Sequence, residues 1–468
     1  MSEIKPASRF QQEIFSSLDE QIERDSIVRI IDKVVDKLYE QKVEVKIKQT
    51  EACLVAGRPE YPRRALLKLY LYGYMNRIKS SRKLERECKV NIEVMWLMGK
   101  LQPDHWTISF FRKENQEEIK RIIKAFNQFL IESGYLEGKT IVIDGTKIKA
   151  NASSSGNISI EEITERLEDV ENKIVYYLEA IEEEDEKTEE IEKLKKEKEE
   201  LLKQIEKLKQ ENKRVYIKSD PDANIMKTKN GRLVGYNIQL GCDKKNKLIV
   251  ATDVSSQTND FKQLKNMYEK SKEMLKDKPE EIIADAGYYT ADEIQNLEEE
   301  EKVKAYVAEL PERTKGEFRY DKKKDEYTCS QGKQLKFEKQ KLNTRGRQTR
   351  IYRCNECEGC PIRKQCTTSS LGRIKIRYIN QDFRDSHRKR MREKESKEKI
   401  KLRKTIVEHP IGTIKLWLGK NPLLLRGREK VQTEIRLVSF AYNLIRIFNI
   451  DGFDNLIEKI TRYNRKLA

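Results

Sequence analysis

The sequence predicts a protein of mixed α+β and α/β class, in which a mixed β-sheet follows a helical N-terminal region. Three observations predict this class. Apolar residues recur at helical spacing up to about residue 135. Short apolar runs separated by polar turns follow, as in strands. Residues 160–212 carry a heptad pattern typical of helices that pack on each other. With 468 residues, the chain should form two or three domains plus insertions.

Charge indicates the class of partner. The chain has 96 Lys and Arg against 79 Asp and Glu, a net charge of +17, which favours a polyanion, nucleic acid first, over a small neutral substrate. A membrane surface is the competing polyanion. No apolar stretch approaches the ~20 residues of a spanning helix, and the start MSEIKPASRFQQEIF has no signal-peptide core. We therefore expect a cytoplasmic protein without membrane contact, whose cysteines are reduced.

Residues 1–135 are predicted to form a helical N-terminal domain. The periodicity is clearest in IVRIIDKVVDKLYE and LLKLYLYGYMNRI. Between Ser80 and Asn115 we expect several short helices, with Ser81 and Thr107 as candidate N-caps. Short helices with basic residues near their starts suit a helix-turn-helix that enters the DNA major groove. A plain helical packing module is the alternative.

Residues 136–310 are predicted to form the first part of the sheet domain. The apolar run TIVI ends at Asp144 and the run IIA ends at Asp285, so two strands are expected to end in carboxylates. The stretch GYNIQLGCDKKNKLIVATDVSS predicts a β-hairpin. A helix over about 260–276 and a short strand in KAYVAEL complete the pattern. The predicted order is one strand, a hairpin, a helix and two further strands. This is the order of a ribonuclease H-like sheet, in which parallel and antiparallel strands are mixed.

Two acids at neighbouring strand ends would suit magnesium. In open α/β sheets ligands gather where strands end, because side chains there leave the core while the sheet still fixes their positions. Carboxylates so placed form a hard oxygen site of the kind that Mg²⁺ prefers. A third ligand is expected elsewhere in the chain.

Residues 160–212 are predicted to form a coiled-coil hairpin inserted in the sheet domain. Apolar residues follow alternating steps of four and three, break at the acidic EEEDEK, and resume with Lys198 at the one seam position that is not apolar. Two arms of about twenty residues, each roughly 30 Å long, would fold back on each other. The hairpin is either a solvated spacer or a contact for oligomerisation.

Residues 311–385 are polar and basic, and are predicted to form a metal-stabilised insertion too polar to build its own core. The stretch CNECEGCPIRKQC holds a cluster of four cysteines, with a fifth candidate ligand nearby in YTCSQGKQL: Cys354, Cys357, Cys360, Cys366 and possibly Cys329. Tight Cys-x-x-Cys loops suit tetrahedral zinc. An iron–sulfur cluster and unligated thiols are the alternatives. The isolated Cys53, Cys88 and Cys242 are expected to be ordinary buried residues.

A third acid lies in residues 386–468, the predicted C-terminal helical part of the core. Glu408 is in a helical stretch that begins near Lys394 and is flanked by Arg403, Lys404 and Lys415. An isolated acid among bases is usually a salt-bridged surface residue. Here it completes a set of three acids.

Asp144, Asp285 and Glu408, in this order on strand, strand and helix, resemble the Asp-Asp-Glu signature of DDE transposases of bacterial insertion sequences. The segments VIDGTKIKANAS, ADAGYYT and VEHPIGTIK, followed by LLLRGREKV and AYNLIRI, are similar to the branch called the eleven-eighty-two group, which is related to the insertion-sequence four and five groups. The resemblance spans nearly the whole chain. Two departures are visible: Ile411 stands where phenylalanine is usual, and Lys401 and Lys404 stand where related groups have tyrosine and arginine.

The resemblance implies an enzyme that cuts and joins DNA at the ends of an insertion sequence. Asp144, Asp285 and Glu408 would be its catalytic residues and would hold two Mg²⁺ or Mn²⁺ ions about 4 Å apart. The implied partners are double-stranded DNA, namely the terminal inverted repeats of the element and the target, and a second copy of the chain in a homodimer. Two other functions stay open: a catalytically silent, domesticated transposase that regulates DNA, and a metal-dependent DNA nuclease.

Basic residues near the three acids are expected to bind phosphates and set the position of the DNA. They are Lys147, Lys149, Arg403, Lys415, Arg426 and Arg428. For any one of them an ordinary solvated surface charge is the alternative, which the abundance of bases in the chain favours. Trp417 could stack on an unpaired base, with a core tryptophan as the alternative.

Overall fold

The computed structural model describes residues 17–40, 60–153, 157–179, 185–211, 213–229, 231–309, 318–342, 348–420 and 422–463. These residues fall into two compact units. Unit 1 contains the described residues of 1–260, 267–279 and 404–468, and unit 2 contains those of 261–266 and 280–403. Within the described ranges no helix is long and apolar enough to cross a membrane.

The N-terminal part of unit 1 is helical, as the periodicity predicts. Its helices are α1 (Ile27–Glu40), α2 (Arg63–Met75), α3 (Ser81–Val90), α4 (Ile92–Leu97), α5 (His105–Glu114) and α6 (Gln116–Glu132). The C-terminal helix α14 (Arg428–Arg462) packs against α1, α2 and α6. The N-terminal helices and the C-terminal helix therefore share one core.

The helix caps in this region differ from the prediction. The N-cap of α3 is Ser80, not Ser81, and its side chain makes no capping bond. The N-cap of α5 is Asp104, whose carboxylate accepts a hydrogen bond from the Thr107 N–H at 2.7 Å. Thr107 is thus the capped residue rather than the cap, because an aspartate three residues earlier is at least as good an acceptor.

The sheet of unit 1 is built around one long strand. It contains β1 (Thr140–Lys149), β4 (Asn224–Thr228), β5 (Gly231–Asp243) and β6 (Ile249–Ser255), and β5 pairs antiparallel with each of the others. β5 and β6 form the predicted hairpin, and α9 (Leu264–Met274) follows them.

β1 does not end at Asp144, so that prediction was wrong. The strand continues to Lys149, and Asp144 pairs with Leu240 in the middle of the ladder. Thr146 and Ile148, which follow at alternate positions, are buried. Because their burial and the continued ladder favour the extended backbone, Asp-Gly makes no turn here.

Two helices form the inserted hairpin, in agreement with the heptad pattern. The short strands β2 (Asn157–Ser159) and β3 (Val215–Ile217) pair antiparallel at its base, and α7 (Ile160–Glu179) and α8 (Asp185–Gln210) extend from them. Their seam is a small apolar core: Ile163, Val170, Leu201, Ile205 and Leu208. Lys198, the polar seam position, pairs with Glu171 at 2.9 Å.

Deleting residues 160–212 and joining the flanks with a short linker should leave unit 1 folded. The seam of the hairpin is filled by its own residues, and the ladder of β2 and β3 would keep the two chain ends together. We expect soluble protein with one cooperative thermal transition. Insoluble protein, or a melt without cooperativity, would instead make the hairpin part of the core of unit 1.

Unit 2 contains strands of both orientations. β7 (Glu281–Ala284) and β8 (Lys304–Val307) pair in parallel, and α10 (Ala291–Glu299) connects them. A separate antiparallel sheet has the order β13-β12-β11-β10-β9. Its strands are β9 (Phe318–Asp321), β10 (Glu326–Cys329), β11 (Gln334–Leu342), β12 (Gln348–Arg353) and β13 (Ile374–Tyr378). Parallel and antiparallel pairs occur together with helices, so the mixed α/β class is confirmed.

The cysteine-rich segment builds its own small core, against the prediction that it is too polar to do so. Tyr327, Leu335, Tyr352 and Cys354 are buried together between its strands. The prediction failed because the two tyrosines, the leucine and the cysteine involved are separated in sequence and meet only through strand pairing. Three further helices complete the chain: α11 (Arg363–Cys366), α12 (Gln381–Met391) and α13 (Lys394–Leu418), the last of which carries Glu408.

Candidate active site and cysteine cluster

Asp144 is fixed by the centre of a sheet rather than by its edge. Asp144 pairs with Leu240 on β5, and Leu240 pairs with Thr252 on β6. The three side chains therefore lie on the same face of the sheet. The carboxylate is half-buried and accepts a hydrogen bond from the Gly145 N–H at 2.9 Å. Burial raises the pKa of the nearby Cys242 thiol, and the negative charge of Asp144 raises it further. A strand paired along its length holds this carboxylate in one place.

Asp285 follows β7 directly, as predicted. The residues before it, Ile282 to Ala284, are buried, whereas Asp285 itself is half-buried. Its carboxylate accepts a hydrogen bond from the Gly287 N–H at 2.8 Å and caps a one-turn helix, Ala286–Tyr288. The buried strand and this cap fix the position of the carboxylate at the strand end.

Glu408 lies on the exposed side of α13, directly after the buried Ile406 and Val407. The next residue, His409, has its imidazole Nδ1 2.8 Å from the hydroxyl of Tyr442 on α14. Burial, followed by the charges of Arg446 and Lys247, lowers the pKa of His409, so the ring is neutral at pH 7. A neutral imidazole thus ties α13 to α14 beside the acid. Nothing in the sequence pattern singled out His409.

The predicted DNA-binding bases occupy different settings. Arg403 belongs to unit 2, and the others, Lys147, Lys149, Lys415, Arg426 and Arg428, belong to unit 1. Lys147 is half-buried and donates to the Lys227 carbonyl at 2.7 Å. Lys149, Lys415, Arg426 and Arg428 are exposed. The Lys147 ammonium is therefore already bonded within the sheet, while the four exposed bases are accessible to a phosphate.

Asn151 brings the end of β1 and the loop before α14 together. The Asn151 amide donates to the Leu424 carbonyl at 2.8 Å, and the Arg426 Nε donates to the Asn151 carbonyl at 2.9 Å. Lys149, two residues before Asn151, and Arg428, two residues after Arg426, consequently lie in neighbouring segments. The structure thus groups three of the predicted bases at one place in unit 1.

Three acids hold this loop, a role that the sequence did not reveal for any of them. Glu434 is fully buried and accepts hydrogen bonds from the Leu424 N–H at 3.0 Å and the Leu425 N–H at 3.2 Å. Asp220 accepts from the Gly427 N–H at 3.1 Å, and Asp222 accepts from the Arg428 N–H at 2.9 Å. They are positioning residues for Arg426 and Arg428. No local pattern could have found them, since their partners are distant in sequence.

Trp417 is only 8% exposed. This burial favours the core alternative over the stacking of Trp417 on a base, because a ring covered by protein has no face to offer.

Five cysteines of unit 2 line one small cavity of about 30 Å³: Cys329, Cys354, Cys357, Cys360 and Cys366. Cys354 is buried, and burial followed by its hydrogen bond with Cys357 raises the pKa of its thiol to about 11. The Arg373 N–H donates to the Cys357 sulfur at 3.3 Å. Gly372 has a φ of +86°, and a Cβ there would lie 2.1 Å from the Cys354 carbonyl oxygen. Glycine thus permits the close approach of two backbone segments at the thiols.

The other described cysteines agree with their predicted role. Cys88 and Cys242 are buried away from the cluster, and none of the seven described cysteines forms a disulfide. Cys53 lies outside the described residues. Among the residues that the structure describes, no group of three or more His, Cys, Asp or Glu side chains is arranged as the ligands of one metal ion. The carboxylate and thiolate ligand sets therefore stay predictions.

Comparison with known proteins gives two family matches. Residues 16–114 match the family described as a transposase domain (DUF772), and residues 328–448 match the family described as a transposase DDE domain. The second match contains Glu408 and the cysteine cluster. No curated protein matches the chain.

One solved structure is similar to the chain at a low level. It is the cryo-EM structure of a piggyBac transposase synaptic complex with hairpin DNA, which covers 94% of this chain and 86% of its own at 10% identity, with a TM-score of 0.24. A likeness at that score carries no argument. The two family matches do: both describe transposase domains, and the second is a DDE domain that contains Glu408, so they support a DDE transposase function for this chain.

Proposed function

We propose that this transposase cuts and joins DNA at the ends of a bacterial insertion sequence of the eleven-eighty-two group, with Asp144, Asp285 and Glu408 as its catalytic carboxylates. The observation that carries the proposal is the match of residues 328–448 to a transposase DDE domain. That match includes Glu408. The motifs VIDGTKIKANAS and ADAGYYT extend the proposal to the two aspartates.

The local setting of each carboxylate supports its role as a metal ligand. Asp144 is held in a paired strand, Asp285 caps a turn at a strand end, and Glu408 projects from the exposed side of a helix. All three are open to solvent in part, and their oxygens are hard donors suited to Mg²⁺ or Mn²⁺. Asp285 belongs to unit 2 and the other two to unit 1.

Two divalent ions, when bound, would supply activation of the attacking hydroxyl and stabilisation of the leaving oxygen. The task of the protein is to hold carboxylates and DNA in place. Lys149, Arg426 and Arg428 are proposed to bind phosphates at the C-terminal end of β1, since the Asn151 contacts bring their segments together there. Glu434, Asp220 and Asp222 keep the backbone of that loop fixed.

The order of elements along the chain supports a ribonuclease H-like core. β1 is followed by the β5–β6 hairpin, then by α9, β7, α10 and β8. This is the order of one strand, a hairpin, a helix and two further strands that the sequence predicts. A homodimer is the proposed assembly, and sedimentation of the purified protein measures it.

Incubation with candidate element ends and Mg²⁺ or Mn²⁺, followed by strand-resolved analysis of products, tests the proposed activity. An active transposase yields cut ends and joined strands. Cut DNA without joined products would indicate a nuclease, and binding without cleavage would indicate a silent regulator. Either of these outcomes contradicts the proposal.

DNA binding should depend strongly on salt. The net charge of +17 would act through phosphate contacts, each of which releases counterions on binding. A plot of log affinity against log salt is expected to be steep, and Arg428→Gln should reduce its slope by about one. Lys203→Gln, at an exposed position on the hairpin helix α8, is the matched control. An affinity that stays flat between low and physiological salt would argue for another partner.

A further inference from the structure

Helix α5 carries an exposed aromatic pair that the catalytic proposal does not use. The side chains of Trp106 and Phe110 are 68% and 46% exposed. Their rings stack on each other with centroids 5.1 Å apart and an angle of 11° between planes. The opposite side of the helix, Ile108 and Phe111, is buried in the core of unit 1. The pair is therefore not part of the core, and its rings are open to contact with a partner.

The neighbouring helix α3 supplies positive charge beside the pair. Glu85 connects the two helices: it accepts from the His105 N–H at 3.0 Å and from the Lys89 ammonium at 2.8 Å. Hydrogen bonds from Lys89 and from His105 lower the pKa of Glu85 to about 2, so this acid is fully ionised and already has its partners. Four bases of α3 are exposed: Arg82, Lys83, Arg86 and Lys89. Trp106 directly follows His105, so the aromatic pair begins beside this basic helix.

We propose that the α3–α5 face binds DNA where a duplex opens into unpaired nucleotides, with Trp106 stacked on an unpaired base and the bases of α3 on the flanking phosphates. That the partner is DNA follows from the proposed function. In a fully paired duplex the faces of the bases are covered by their neighbours, whereas an unpaired base offers a face to an aromatic ring. Stacking on Phe110 orients the indole ring of Trp106. The positive charge of α3 complements phosphate rather than an apolar protein partner.

Substituting Trp106 should separate stacking from phosphate contact. Loss of one stacked base costs about 1–3 kcal/mol, or roughly 5-fold to 150-fold in affinity. Trp106→Ala should lose that much affinity for a forked oligonucleotide and bind the fully paired duplex of the same sequence as the wild type does. The slope of affinity against salt should not change. Arg86→Gln, in contrast, should weaken binding to both DNAs and reduce that slope by about one.

The conservative variant and a spectroscopic signal keep the test independent of folding. Trp106→Phe should keep most of the affinity for forked DNA, because a phenyl ring also stacks. Forked DNA should quench the tryptophan emission of the wild type, and Trp106→Phe should abolish that quenching. Tyr176→Ala, which removes a ring 67% exposed on the hairpin, is the matched control and should bind both DNAs like the wild type.

Two results would overturn the proposal. One is Trp106→Ala protein that binds forked DNA with wild-type affinity, and the other is an equal loss for forked and paired DNA. A change of oligomeric mass in Trp106→Ala, with DNA binding intact, would assign the face to protein contact instead. Binding is measured without divalent metal, so a wild-type protein that fails to cut DNA would contradict the proposed activity and leave this result unaffected.

Discussion

Asp144→Asn, Asp285→Asn and Glu408→Gln proteins are each expected to bind DNA and to produce neither cut nor joined strands. The amide keeps the size of the side chain but removes the negative charge that would hold the divalent ions. Loss of an ion removes several kcal/mol of transition-state stabilisation, which corresponds to at least about a 1,000-fold loss of rate. Binding should persist or tighten, because repulsion between carboxylate and phosphate is relieved. Strand-resolved product analysis and a binding assay on the same preparations measure both effects.

A matched control is Glu398→Gln, at another acid of α13, which should keep wild-type rates. If Glu408→Gln still cuts DNA at a near-normal rate, Glu408 is not the third ligand. Glu434, the next acid that the sequence offers in this region, is then a poor replacement, because it is fully buried and bound to the Leu424 and Leu425 N–H groups. Substituting Glu434 should instead lower the melting temperature, since it would leave those groups unpaired.

Purified protein is expected to contain about one zinc per chain, and its removal is expected to unfold the five-stranded sheet of unit 2. The thiols around the small cavity form the donor set that zinc prefers, and a structural zinc ion contributes ~10–16 kcal/mol to folding in small domains. The apolar core of this sheet is small, with four buried residues, so we expect its folding to depend on that contribution. Elemental analysis and limited proteolysis over residues 318–378 are the measurements.

Single Cys→Ser variants identify the ligands. A tetrahedral site takes four thiolates, and five cysteines line the cavity, so one of the five substitutions should leave zinc in place while the other four remove it. Cys88→Ser is the matched control, because Cys88 is buried outside the cluster. A metal-free preparation that keeps the sheet resistant to protease would contradict the zinc proposal. A brown preparation that absorbs visible light would indicate an iron–sulfur cluster.

Local patterns in the sequence predicted those features whose partners are close along the chain. The heptads specified α7 and α8, the apolar run before Asp285 specified β7, and the helical stretch around Glu408 specified α13. In each case the periodicity of a few neighbouring residues decides which face is buried. All five clustered cysteines, with Cys329 as the possible fifth, were named from sequence alone, and the resemblance to DDE transposases added Glu408 to the two aspartates.

Tertiary structure decided the features that depend on residues far apart in the chain. From the sequence, Asp144 looks like the end of a strand. In the structure, the β1 residues before and after Asp144 all pair with β5. The polar segment before α12 looks like a loop until strand pairing buries Tyr327 against Tyr352. Glu434 gains its hydrogen-bond partners only when the loop before α14 folds over it. The physical reason is the same throughout: burial and hydrogen-bond partners are set by contacts between distant segments, and no local pattern encodes them.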